Sequence, residues 1–193
     1  MDSGLRAAAV NVDLAFPHSW QAQILRNRPL ILPSRHYTYP RQAEDIERGA
    51  LETLVQPDGD KPFLATFALG FADPAAPSGL WSCPNPNEIC ALAGGYAYIV
   101  DTLNPNRFTH LAFRPVLEVR SLQDQRLLLF AGHHALLAWG SDGQLWESQR
   151  LSSEGLRVEA VTDTDLHGFG WDLLTDRDVP FTLDLRTGER IGS

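Results

Sequence analysis

Three stretches decide the fold: Tyr96-Ala97-Tyr98-Ile99-Val100-Asp101, Ala135-Leu136-Leu137-Ala138-Trp139-Gly140-Ser141-Asp142-Gly143 and Phe181-Thr182-Leu183-Asp184-Leu185-Arg186-Thr187-Gly188. Each runs a short apolar strand into a polar turn, where Asp bonds its own backbone and Gly tolerates positive φ. They sit within the wider segments Gly94 to Pro105, Gly132 to Trp146 and Val179 to Ile191, which recur every 40 to 45 residues or so. That period suits a fold repeating one small sheet per unit.

Working outward, nearly everything after Ile89 reads as short strands bounded by turn residues: Ile89 to Ala93, Leu127 to Ala131, Gln144 to Ser148, Leu156 to Val161 and Gly168 to Leu174 among them. Dense hairpins imply antiparallel sheets. Upstream, Val10, Val12, Leu14 and Phe16 alternate as in a half-buried strand ended by Pro17, and Phe63 to Leu69 has the content of a strand covered on both faces. Between Arg41 and Val55, Ile46, Ala50, Leu51 and Leu54 fall at helical spacing with an acidic first turn, which predicts a helix. Asp73 to Asn87, with Pro74, Pro77, Pro84 and Pro86, predicts a long surface loop carrying Trp81.

The expectation is a mainly β fold: antiparallel sheets with two blade-like units, plus one helix near residues 41–55. At 193 residues and 44% hydrophobic the chain suits a single domain, 1–193, in which N-terminal strands and the helix (1–62) pack on an antiparallel β body (63–193).

Phe181-Thr182-Leu183-Asp184-Leu185-Arg186-Thr187-Gly188-Glu189-Arg190, with its Leu-Asp pair before a Thr-Gly turn, resembles the strand and turn of quinoprotein-type β-propeller blades. Asp142-Gly143-Gln144-Leu145-Trp146 resembles the same turn and the strand after it. The resemblance spans residues 89–191 and implies blade-like sheets, about two at this period, whereas a closed propeller needs at least four. Central-channel functions and quinone or calcium sites do not carry over.

A net charge of −8 repels phosphate backbones, and no cluster of Lys or Arg alternates with aromatics, so nucleic acid is not an expected partner. Residues 1–13 lack an apolar stretch long enough for a signal sequence or membrane span, which places the expected protein in the cytoplasm, away from membranes. Cys83 and Cys90 bracket a Pro-Asn loop; free thiols and a disulfide both fit that spacing, and a zinc site would need two further ligands.

His133-His134 lies at the tip between two apolar strands, so the candidate catalytic residues are His133 and His134 with Asp101. Asp163-Thr164-Asp165-Leu166-His167-Gly168 partly imitates a calcium loop, making Asp163 and Asp165 the alternative metal ligands, although Leu174 stands where the twelfth-position carboxylate belongs. Trp139, Trp146 and Trp171 fall on the β region as core, while Trp81, Tyr98, His167 and Trp171 are the candidates for an aromatic ligand pocket. With no nucleophile elbow, Walker loop or dinucleotide fingerprint, no cofactor is expected. The reading is a non-enzymatic β domain that binds a protein or small molecule through the Trp81 loop and the Asp-rich turns from Asp163 to Asp178. Its alternative is a small metal-assisted hydrolase using His133 or His134 with a nearby Asp.

Overall fold

The computed structural model describes residues 10–41, 46–71 and 76–192. Strand β1 (Asn11–Asp13) runs parallel to β6 at the edge of a sheet formed further along the chain. Sheet I takes β2 (Trp20–Leu25), β3 (His36–Tyr39), β4 (Ala50–Pro57) and β5 (Phe63–Ala68) in the order β2-β4-β5-β3. Sheet II takes β6 (Gly79–Ser82), β7 (Glu88–Ala93), β8 (Tyr96–Asp101) and β9 (Phe108–His110), with β1 outside β6. Sheet III is the meander β10 (Glu118–Leu122), β11 (Leu127–Ala131), β12 (Leu136–Gly140) and β13 (Gly143–Glu147); sheet IV is β14 (Leu156–Val161), β15 (Asp165–Asp172) and β16 (Arg177–Asp184). Apart from β1–β6 and β3–β5, every pairing is antiparallel.

The sheets stack in chain order, and alternation along each strand decides which neighbour a side chain meets. In sheet II, Ile89, Ala91, Tyr98 and Val100 face sheet I, where they meet Leu51, Val55, Phe63 and Phe67. The other face, with Cys90, Leu92 and Ile99, meets Leu128, Phe130, Leu137 and Trp139 of sheet III. Sheet III turns Leu129, Ala138 and Trp146 toward Leu166, Phe181 and Leu183 of sheet IV. Sheets II and III are thus covered on both sides, which is why β11, β12 and the Ile89 to Ala93 stretch of β7 read as unbroken apolar runs. Each buried Leu or Phe in these layers contributes about 2 kcal/mol. Among the described residues no apolar cluster joins sheet IV back to sheet I.

Two expectations are corrected. The helix near residues 41–55 is not formed: its residues 42–45 lie outside the described residues, and Ala50–Pro57 is strand β4, opposite β5 through six registered pairs from Ala50↔Ala68 to Val55↔Phe63. The helical spacing of Leu51 and Leu54 is overridden by the alternation Leu51, Thr53, Val55, whose two β-branched members suit a pleated, buried surface. The hairpin around Asp58-Gly59 then holds the strand against Phe63 to Ala68. No α-helix occurs among the described residues.

The second correction concerns Trp81. The expected surface loop contains β6, whose four residues are all buried, and Trp81 is 2% exposed between sheets II and III. Both faces of this short strand are covered, so it carries no polar alternation to betray it. Gly79 is required there: a Cβ would lie 2.2 Å from the Asn11 carbonyl oxygen, closing the gap through which β1 pairs.

Candidate functional site: a polar cleft where three sheets meet

Glu88 opens β7 and Asp101 closes β8, and the hairpin turning at Gly94-Gly95 sets them directly opposite each other. Both lie on the face that looks toward sheet III. The Trp139 indole Nε1 of sheet III donates to Glu88 Oε2 at 3.0 Å, while Trp20 Nε1 of sheet I donates to the Glu88 main-chain oxygen at 3.2 Å. Glu88 is therefore tied to both neighbouring sheets. Asp101 is fixed by its own turn, Oδ1 accepting from the Leu103 and Asn104 backbone N–H groups at 3.0 and 3.1 Å, and its Oδ2 lies 3.8 Å from Arg107 Nη1.

Burial raises the Glu88 carboxyl above its ordinary value; the Trp139 hydrogen bond opposes this, the Asp101 charge adds to it, and Arg107 offsets part. A cation beside the pair would relieve the repulsion between them. These groups line an open cleft of about 560 Å³ together with Arg41, Asn87 and Asn106. Arg41 is held in place by donating from Nη2 to the Asn106 carbonyl at 2.7 Å, with its guanidinium 5.7 Å from the Phe108 ring centre. The lining balances two carboxylates against two guanidiniums. Such a surface can hold a ligand carrying a positive centre next to a hydrogen-bond acceptor or negative group.

Of the residues singled out in the sequence, only Asp101 lines this cleft. His133 and His134 sit between β11 and β12 with ring centres 5.9 Å apart, and His134 Nδ1 lies 3.3 Å from the Ser152 carbonyl. No group of three His, Cys, Asp or Glu side chains able to hold a metal occurs among the described residues. Asp163 lines a separate cavity of about 370 Å³ beside Asp124 and Arg186, and Asp165 pairs in register with Asp184.

The four aromatic-pocket candidates are also apart. Trp81 is core. Tyr98 is fully buried, donating its hydroxyl to the Ala68 carbonyl at 2.9 Å and stacking on His110 at 4.6 Å. It borders a cavity of about 460 Å³ with Arg48, Tyr96 and Arg114. His167 reaches Thr182 Oγ1 at 3.0 Å on sheet IV, and Trp171 Nε1 donates to Asp176 Oδ1 at 3.2 Å at the end of β15. Cys83 and Cys90 are buried free thiols, both pushed up by burial.

Glu88, Arg107, Arg41 and the two indole donors escaped the sequence reading. One signal was present: counting equal steps outward from Gly94 and Gly95 pairs Glu88 with Asp101. Compared with known proteins, the chain matches no family model and no curated sequence. Among the described residues, no helix is long and apolar enough to cross a membrane.

Proposed function

We propose that the chain is a non-enzymatic binding module, a row of propeller-blade-like sheets that holds a small polar ligand in the cleft at Glu88 and Asp101. The observation that carries this reading is the registered pair of carboxylates, one of them half-buried and raised, lining an open cleft with Arg41 and with Arg107, which stands beside Asp101. The ligand class it favours is a compact zwitterion or hydroxylated amine: a cationic centre on Glu88 and Asp101, a carboxylate or hydroxyl on Arg107. The ordered succession of sheets, and the packing of Trp146 on the Thr187-Gly188 turn, support blade-like units. The two free thiols suit a reducing compartment and hence the cytoplasm.

Titration calorimetry of the full chain against free amino acids, simple amines and simple carboxylic acids tests the reading. Amino acids or amines bind, simple carboxylic acids do not, and Glu88→Gln and Asp101→Asn each weaken binding about tenfold. Binding unchanged in both variants, or no binding by any member of the three sets, overturns it.

A further inference from the structure

Sheet IV and the loop before it form another cavity, of about 270 Å³, that shares no residue with the cleft at Glu88. Its floor depends on Gly170 having no side chain: a Cβ there would lie 2.2 Å from the Leu151 carbonyl oxygen. The loop is stitched to β15, Ser153 donating its N–H to the Trp171 carbonyl at 2.8 Å and accepting at Oγ from the Leu173 N–H at 3.2 Å. That hydroxyl keeps its own hydrogen to donate. Trp171 is fixed by its indole bond to Asp176, and with Val179 it supplies an apolar wall.

Two guanidiniums line this cavity, and main-chain carbonyls hold both. Arg150 donates from Nε to the Ser152 carbonyl at 3.0 Å and from Nη2 to the Ser153 carbonyl at 2.9 Å. Arg190, on the tail that returns along β16, donates from Nη2 to the Pro180 carbonyl at 2.9 Å. Each has five N–H donors, so most remain for another partner. Among the described residues neither forms an ion pair. A carbonyl orients a guanidinium without cancelling its charge, so two like charges share this small volume. The carboxylate that lines the cavity with them, Asp172, is bound within its own turn by the Thr175 hydroxyl and the Leu174 N–H, which hold it below the ordinary range and so charged. Two guanidiniums less one carboxylate leave a single positive charge. Outside the cavity the sign reverses: Glu154, Asp176, Asp178 and Glu189 flank its residues in the chain against Arg177, and the whole chain carries −8. Extended polyanions and anionic membrane surfaces are therefore repelled, and the attraction is confined to a small group that enters the cavity.

We propose that this cavity binds a small phosphate monoester, its phosphoryl group on Arg150 and Arg190 and its apolar body on Trp171 and Val179. A tetrahedral phosphoryl dianion suits these donors: three oxygens can serve two guanidiniums and the Ser153 hydroxyl, whereas a planar carboxylate fills one guanidinium fork. Its double charge also gains twice as much as a carboxylate from the same net positive charge. The site is independent of whatever occupies the cleft at Glu88 and Asp101.

Titration calorimetry and heteronuclear NMR of the full chain with phenyl phosphate, inorganic phosphate and phenol test the proposal. Phenyl phosphate binds, inorganic phosphate binds about tenfold more weakly for want of a body to pack on Trp171, and phenol does not bind. The indole N–H resonance of Trp171 moves on titration, and that of Trp139 in the cleft stays. R150Q and R190Q each weaken binding about tenfold. D172N, which keeps a carbonyl oxygen for its turn, tightens binding about threefold by removing a repulsive charge, an effect that a merely structural Asp172 would not give. Circular dichroism checks the fold of each variant, and the NMR result on the unaltered chain stands without them. No binding of either phosphate below about 10 mM overturns the proposal. So does movement of the Trp139 resonance in place of that of Trp171, or weaker binding by folded D172N.

Discussion

Trp146 and Gly188 are locked face to backbone across sheets III and IV: a Cβ built on Gly188 would lie 2.5 Å from the indole Cε3, and the indole Nε1 donates to the Leu185 carbonyl at 2.7 Å. Gly188, at φ 69°, also donates its N–H to the Asp184 carbonyl at 2.8 Å, so the turn that ends sheet IV is shaped to receive the ring of the preceding sheet. The Leu-Asp and Thr-Gly pairs thus serve an interface between sheets as well as a turn.

Gly188→Ala meets both a left-handed backbone and the ring, and is expected to cost about 2–3 kcal/mol. Gly155→Ala shares the backbone demand at φ 73° but has open space, and is expected to cost about 1 kcal/mol. Urea unfolding midpoints compare the two; equal costs would assign the whole effect to the backbone and none to Trp146.

Trp139→Phe removes the indole donor from the Glu88 carboxylate, at an expected cost of about 1–2 kcal/mol. Because that hydrogen bond lowers the Glu88 carboxyl, its loss also moves the Glu88 titration further upward. NMR titration of the side-chain carboxyl resolves the shift, which a purely steric role for the indole would not produce.

The acid dependence has a definite sign. Glu88 is raised above its ordinary 4.5, chiefly by burial, so the folded chain binds this proton more tightly than the unfolded chain. Its stabilising contribution is fully present below 4.5 and is lost as pH rises through the folded value. Glu88→Gln keeps a carbonyl acceptor for Trp139 and is expected to melt above the wild type at neutral pH, the gap closing on acidification. A gap constant with pH would exclude Glu88 as its source.

On the outer face of sheet I, Thr66→Val withdraws a hydroxyl from a carboxylate that is otherwise nearly out of water, and is expected to cost about 1–3 kcal/mol. In the background of Glu52→Gln the same change is expected to cost less than half as much. Equal costs in the two backgrounds would show that Thr66 acts through packing alone.

Local chemistry made the hairpins readable. Gly94-Gly95, Ser141-Asp142-Gly143 and Thr187-Gly188 announce turns through residues that tolerate positive φ, and each falls where strands reverse or end. Positions whose state is set by distant partners were not readable. Ala50 to Val55 resembles a helix until β5 lies beside it, and Trp81 belongs to a proline-rich stretch that becomes core only when sheet III closes over it. The cleft was half visible, in Asp101. Its other half depends on a register across β7–β8 and on indoles arriving from residues 20 and 139, and no spacing in the chain encodes their convergence.

That convergence gives the protein an optical consequence. Two intrinsic fluorophores, one from each flanking layer, donate to the same acidic residue, so any cation settling on Glu88 alters the electric field at the Trp139 ring. Occupancy of the cleft should shift the emission spectrum without an attached dye.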